Sequence, residues 1–328
     1  MTLIAAFRCD SGVVICADSQ ETVTLPDGRE YRVRVTKIRP QDAGEYEVVI
    51  GGAGASGPLV DRFTRDLVDA IRQWPTGLVS EEIETALSGL LERFHLTHVV
   101  ASTYQSSDFD FLVCIRGKAD EEIGLWTLRD TAVLPVETYT MIGWEEALYN
   151  REVSWLYPAP GKPWIAQGVL LGVRLFVMAK DTSNYVGGPT QVIVVRDNGM
   201  HVEDPRDVQV LEERVETFNR ALAGLVLACP DTSIHRDGFR ELLGAFEDTV
   251  MNLREHYFQT GVAASLARAL NDPNHKGDPY PKFPLGTLDR SGRTATKYKA
   301  IDQNTWDTSL SVSPSPSPSP EIPEDEED

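Results

Sequence analysis

Through its first half the chain carries apolar residues in short alternating or unbroken runs, the signature of strands. Residues 2–8 and 13–17 are two such runs, the second rich in β-branched side chains that suit a buried strand. Cys9, Asp10, Ser11 and Gly12 between them supply turn chemistry, with Gly12 free to take positive φ. A polar loop at 21–30 holds a Pro26-Asp27-Gly28 turn and leads into an alternating strand at 31–38. Residues 46–50 form a further strand that runs into the glycine-rich stretch 51–57. The period then becomes helical. Over 58–74, Leu59, Val60, Phe63, Leu67, Val68 and Ile71 fall on one face, with Pro58 in the first turn. A second helix is predicted from Ser80, its expected N-cap, to about residue 96.

Strand patterns return at 109–115, 123–128 and 133–142, followed by a helix over 164–180. Pro189 to Val202 reads as a hairpin turning on Asn198-Gly199. Two long helices, at 206–228 and 234–265, flank Pro230-Asp231. Two clusters of hairpin-linked strands, each accompanied by helices, predict an α+β fold. In it, two stacked and mainly antiparallel sheets are covered by helices, with extra C-terminal helices. The expected organisation is one domain over 1–205, a helical extension over 206–270 packed on it, and an irregular to disordered tail over 271–328. That tail carries a Pro/Ser spacer at 313–320 and the acidic end Glu321–Asp328.

The composition narrows the partners. A chain of 328 residues with net charge −19 repels nucleic acid and anionic membrane surfaces. Its four cysteines are widely spaced without a Cys-x-x-Cys, so it is no disulfide scaffold, and Cys16 and Cys114 read as core residues. The most apolar later stretch, 165–179, contains Gln167 and Arg174 and is shorter than the roughly 20 residues a membrane span needs. With no cationic, then apolar leader at its start, the chain is expected to be soluble and cytoplasmic. His95 and His98 lack a third ligand nearby. The formal Gly-x-Gly-x-x-Gly of 52–57 invites a dinucleotide reading, but that fingerprint wants a second strand with an acidic residue about 20 positions on, and a second helix occupies 80–96 instead. No cofactor or metal is expected.

The candidate chemistry begins at the first strand. Met1 precedes a small residue, where initiator methionine is commonly trimmed. Trimming would leave Thr2 with a hydroxyl and a free α-amine on one residue. A hydroxyl is a weak nucleophile until a base takes its proton, and an α-amine with an ordinary pKa of about 7.7–8.0 is such a base. Asp18 ends the second strand and Lys37 lies near the end of the third, so adjacent strands can bring Thr2, Asp18 and Lys37 to one sheet end. A lysine there would lower the proton affinity of the hydroxyl.

The register from Thr2 through Gly12-Val-Val to Ala17-Asp18, with Lys37 in Arg34-Val-Thr-Lys-Ile38 and Gly52-Ala-Gly-Ala55 entering a helix, resembles proteasome β-subunits and HslV-type N-terminal-nucleophile (Ntn) hydrolases. The resemblance covers about residues 1–205 and is most specific in the first 60. It implies a four-layer αββα sandwich, an amide-cleaving activity on peptide or other amide substrates through an acyl ester on Thr2, and self-association as a homo-oligomer or ring. By the same resemblance the Gly54 amide would line the oxyanion hole. Asp181 and Ser183, in Asp181-Thr-Ser-Asn-Tyr-Val-Gly-Gly188, match a supporting motif with longer spacing. Trp144 and Val186 stand where that family has serines. Two alternatives stay open: a catalytically impaired structural or binding subunit, which these departures motivate, and a small-molecule Ntn amidase.

Overall fold

The structure is a computed structural model that describes residues 2–24, 27, 29–54, 56–100, 109–119, 122–143, 146–157 and 161–271. Trp144, most of the Pro26–Gly28 turn and the tail beyond residue 271 lie outside the described residues. The chain divides into two units, Met1–Ala263 and Ala264–Asp328, and both sheets with the helices that cover them lie in the first.

One five-stranded sheet is built from β1 (Leu3–Cys9), β2 (Gly12–Ala17), β10 (Tyr139–Gly143), β11 (Gln191–Arg196) and β12 (Gly199–Val202), in the order β10-β1-β2-β11-β12. A second holds β5 (Arg39–Ala43), β6 (Tyr46–Gly54), β7 (Phe109–Gly117), β8 (Ile123–Arg129) and β9 (Ala132–Pro135) in sequential order. Every pairing is antiparallel. The strand period of two sorts the side chains. Leu3, Ala5 and Phe7 face one core, whereas Ile4 and Ala6 face another between the sheets. On β7, Phe111 and Val113 point to a third core while Leu112 and Cys114 face the inter-sheet layer. Strands buried on both faces explain why the runs are apolar without interruption.

Helices close the outer faces. α1 (Gly57–Ile71) and α2 (Ser80–Phe94) cover the second sheet through Phe63, Leu67, Ile71, Ile83, Leu87 and Leu91. α3 (Glu146–Leu156), α4 (Ile165–Thr182) and α5 (Pro205–Ala228) cover the first through residues such as Tyr149, Phe176 and Leu211. The result is a four-layer αββα sandwich, the expected fold class. α4 sits close over β1 and β2: a Cβ on Gly172 would come within 2.3 Å of Cys16 Sγ. α6 (Arg236–Asn271) follows, with Leu253 and Tyr257 against the same core as α5. Among the described residues no helix is long and apolar enough to cross a membrane.

Several elements differ from expectation for local reasons. The polar segment 21–30 contributes β3 (Gln20–Thr24), which pairs with β4 (Glu30–Arg34) as a separate hairpin. The strand expected over 31–38 stops at Arg34, and 35–38 is irregular. The strand expected over 133–142 is two strands in different sheets. Val136 between them is buried in the inter-sheet core, and Arg8 donates to its carbonyl at 2.8 Å. α2 is capped from Val79, whose N–H donates to Glu82 Oε2 at 3.1 Å, and Ser80 is its first helical residue. Residues 95–100 continue it as a π-helix. The β11–β12 turn is Asp197-Asn198, with Arg196 paired to Gly199.

Candidate active site

Thr2 precedes β1 and is half-buried. The next residue, Leu3, exchanges main-chain contacts with the end of β2. Its N–H donates to Asp18 Oδ1 at 3.0 Å, and its carbonyl accepts from the Asp18 N–H at 3.3 Å. On the other side Leu3 pairs with Gly143. Gly143 has φ +101°, and a Cβ there would stand 1.9 Å from the Thr2 carbonyl oxygen, so only glycine fits. Gly143 thus lies close against the Thr2 carbonyl, and Asp18 bonds the residue that follows Thr2.

The Asp18 carboxylate is fully buried among donors. Besides Leu3, the Gln20 N–H reaches Oδ2 at 3.1 Å, and Lys37 Nζ binds Oδ1 and Oδ2 at 2.7 and 2.8 Å. The Lys37 side chain is only 7% exposed. Burial pulls the lysine below its ordinary pKa, more than the attraction of Asp18 and Glu21 raises it. A buried cation with a lowered proton affinity, bonded to a carboxylate that also grips the Thr2–Leu3 junction, can bias a proton leaving or entering this corner of the fold. Asp18 and Lys37, both named from the sequence, are in contact, and Lys37 lies on the irregular segment after β4 and not on the strand expected there.

The other candidates are distributed differently. Gly54 is the last residue of β6, exposed, and paired with Phe109 of β7. Asp181 is exposed in the last turn of α4. Ser183 caps that helix, is buried, and accepts the Tyr185 N–H at 3.2 Å. The loop after it lies beside Ser19 and Gln20: Ser19 N–H donates to Gly187 O at 3.1 Å, Ser19 Oγ to Pro189 O at 2.7 Å, and Gln20 Nε2 to Asn184 O at 3.1 Å. Val186 is buried in the core beneath α4 and α5. Among the described residues no group of three His, Cys, Asp or Glu could hold a metal ion.

Two arrangements escape sequence reasoning. Gln191, the first residue of β11, pairs with Ala17 and bonds through its side chain to Val35, Lys37 and Ile38. Next to it, Thr190 donates from its N–H (3.1 Å) and its hydroxyl to Glu212 Oε1, which also accepts from Lys180 Nζ at 2.5 Å. Both join segments well separated along the chain, where no spacing motif signals contact.

No protein-family model matches the chain, and no curated protein matches it. Solved structures do. Anbu (ancestral beta-subunit) from Yersinia bercovieri is 17% identical, with a TM-score of 0.54 over 70% of this chain and 98% of that one. The Anbu complex from Pseudomonas aeruginosa, solved as a helical assembly, is 15% identical with a TM-score of 0.54 over 70% and 98%. Anbu from Hyphomicrobium sp. strain MC1 is 14% identical with a TM-score of 0.52 over 70% and 99%. These matches correct the family suggested by the opening motif: the similar structures are Anbu proteins, proteasome-related but distinct from the proteasome β-subunits and HslV. The Thr2–Asp18 register is set by the β1–β2 hairpin itself, so it marks the fold and does not separate its families. What the likeness establishes is an Anbu-type, proteasome-like αββα fold.

Proposed function

We propose that this chain is an N-terminal-threonine hydrolase that cleaves amide bonds, with peptides as the first substrate class to test. The supporting observation is the buried Lys37–Asp18 pair bonded to the residue that follows Thr2. After removal of Met1, Thr2 Oγ attacks the substrate carbonyl while the Thr2 α-amine takes its proton. Lys37 lowers the proton affinity of that hydroxyl, and Asp18 holds Lys37 in place. The Gly54 N–H receives the charge developing on the carbonyl oxygen. The α-amine then protonates the leaving amine, an acyl ester remains on Thr2, and water hydrolyses it to regenerate the enzyme. Asp181 and Ser183 are proposed as supporting residues at the α4 end of the site. Three buried free cysteines suit a reducing, cytoplasmic setting. Self-association as a homo-oligomer is also proposed, in keeping with the helical assembly formed by the Pseudomonas aeruginosa relative of the same fold.

The test is the mass of the mature N-terminus, together with labelling by an electrophile that captures a hydroxyl and an α-amine on one residue. Label on Thr2, with hydrolysis lost in Thr2→Ala, supports the reading. Retained Met1, or undiminished hydrolysis in Thr2→Ala, refutes it. Met-trimmed protein that folds but does not label is instead a structural or binding subunit. Label at Thr2 without peptide turnover directs the search to small-molecule amides.

A further inference from the structure

Lys37 sits on a stretch that no strand supports. β4 ends at Arg34, β5 starts at Arg39, and residues 35–38 carry the chain from the β3–β4 hairpin into the second sheet. Backbone groups in such a crossing need partners, because an unpaired buried N–H or C=O is costly. The Val35 N–H finds the Ser19 carbonyl at 2.8 Å. Three more of these groups are met by one side chain. Gln191 Oε1 accepts from both the Lys37 N–H (3.0 Å) and the Ile38 N–H (3.3 Å), while Gln191 Nε2 donates to the Val35 carbonyl at 2.7 Å. The amide orientation follows from these partners, since a flipped amide would set its NH₂ against two N–H donors.

Gln191 also has a fixed place in the sheet. It pairs with Ala17, the residue immediately before Asp18. A single register position therefore sets both the strand end that presents Asp18 and the main chain that presents Lys37. The lysine stem has four rotatable carbons and does not by itself hold an ammonium in a bidentate contact. Fixing its main chain sets the point from which that stem must reach Asp18.

From this geometry we infer that Gln191 is a positioning residue, clamping the 35–38 crossing so that the Lys37 ammonium stays seated on Asp18 beside Thr2. The inference rests on the proposed hydrolase reading for its effect on turnover. The clamp itself is measurable without turnover.

The experiment uses the full chain with Gln191→Leu, which keeps volume and removes both polar atoms, and Gln191→Glu, which keeps the acceptor. Hydrogen exchange is followed by mass spectrometry on peptides spanning 35–38, and kcat, KM and the pH–rate profile are measured on an amide substrate. Gln191→Leu is expected to speed exchange at Lys37 and Ile38 by about tenfold and to lower kcat by about tenfold, with KM within about twofold. The basic limb of the profile should also move. Gln191→Glu keeps the acceptor for the Lys37 and Ile38 N–H groups but sets a carboxylate oxygen against the Val35 carbonyl, so it is expected to protect Lys37 and Ile38 more than Gln191→Leu does and to recover part of kcat. If Gln191→Leu does not fold, Gln191→Asn, one methylene too short to reach, replaces it with the same expectation. Wild-type exchange at 35–38 in the Leu or Asn variant overturns the inference, as does fast exchange there with unchanged kcat and pH profile. If wild-type protein neither labels at Thr2 nor hydrolyses amides, the hydrolase reading fails, and the exchange result alone decides whether Gln191 holds Lys37.

Discussion

Removing Lys37 tests how much of the fold depends on the Asp18 pair. The carboxylate is 0% exposed and the lysine side chain 7%, so water replaces neither partner. In Lys37→Met, Asp18 keeps the Leu3 and Gln20 N–H donors but remains a buried, uncompensated charge. Breaking a buried pair from one side costs about 3–5 kcal/mol. At about 2–4 °C per kcal/mol for a unit of this size, the melting point should fall by about 6–20 °C. Asp18→Asn leaves a buried ammonium and should cost a similar amount. The double variant Asp18→Asn/Lys37→Met strands no charge, because the new carboxamide can still accept from Leu3 and the methionine fills the lysine stem's place. It should be more stable than the sum of the single losses by at least about 2 kcal/mol. The pH dependence has a definite sign. Burial holds the folded pKa of Lys37 below its ordinary 10.5. Between the two values the unfolded chain binds more protons than the folded one, so the stability of wild type relative to Lys37→Met rises with pH and levels off above 10.5. Urea unfolding of the four proteins from pH 7 upward measures both effects. Strict additivity, or single losses below about 0.5 kcal/mol as at an exposed pair, would refute the argument.

Three further outcomes follow. Gly143→Ala forces a Cβ against the Thr2 carbonyl at positive φ, so it should cost at least about 1–2 kcal/mol in urea unfolding; a neutral result would mean that Thr2 can move freely. Glu212→Gln weakens the acceptor shared by Lys180 and Thr190, and should lower stability by about 2–4 kcal/mol and speed amide exchange in the first half of α5 more than in α1; equal exchange changes in both helices would count against it. Burial pushes the Cys9 and Cys114 thiols up to about 12, and Cys16 is raised for the same reason, so in the native state at pH 8 iodoacetamide should add one group, on exposed Cys229, as read by intact mass; a second fast adduct would contradict that burial.

The architecture is legible in the sequence where one strand serves two cores. The unbroken apolar runs of β1, β2 and β7 arise because Ile4 and Leu112 face the opposite sheet while Phe7 and Val113 face helices. The first helix declares itself for the complementary reason: its one buried face produces a clean 3.6-residue period. Legibility fails where tertiary contacts override local pattern. β5 carries Arg39, Pro40 and Asp42 at a sheet edge, a composition without strand propensity. The change of sheet at Val136 is invisible because both halves of 133–142 alternate as strands do. α3 carries a signal of its own in the sequence: Tyr149 and Val153, with Tyr157 just past its end, recur at helical spacing.

The candidate site shows the same division more sharply. Asp18 can be placed from sequence because it follows Thr2 across one tight hairpin, where register is fixed by the turn. Lys37 can be named by its motif, but what holds it cannot, because that support comes from Gln191, 154 positions away. The support does not stop at Gln191. Thr190, its neighbour, is bonded through both N–H and hydroxyl to Glu212 on α5, and Lys180 on α4 shares the same carboxylate oxygen. A continuous set of contacts thus leads from α5 through Thr190 and Gln191 to Lys37, then through Asp18 to Leu3 beside Thr2. By its sequence pattern the helix after residue 205 reads as an addition to the sandwich. In the folded chain it braces the start of β11, so losing Glu212 should disturb the Lys37 crossing as well as α5.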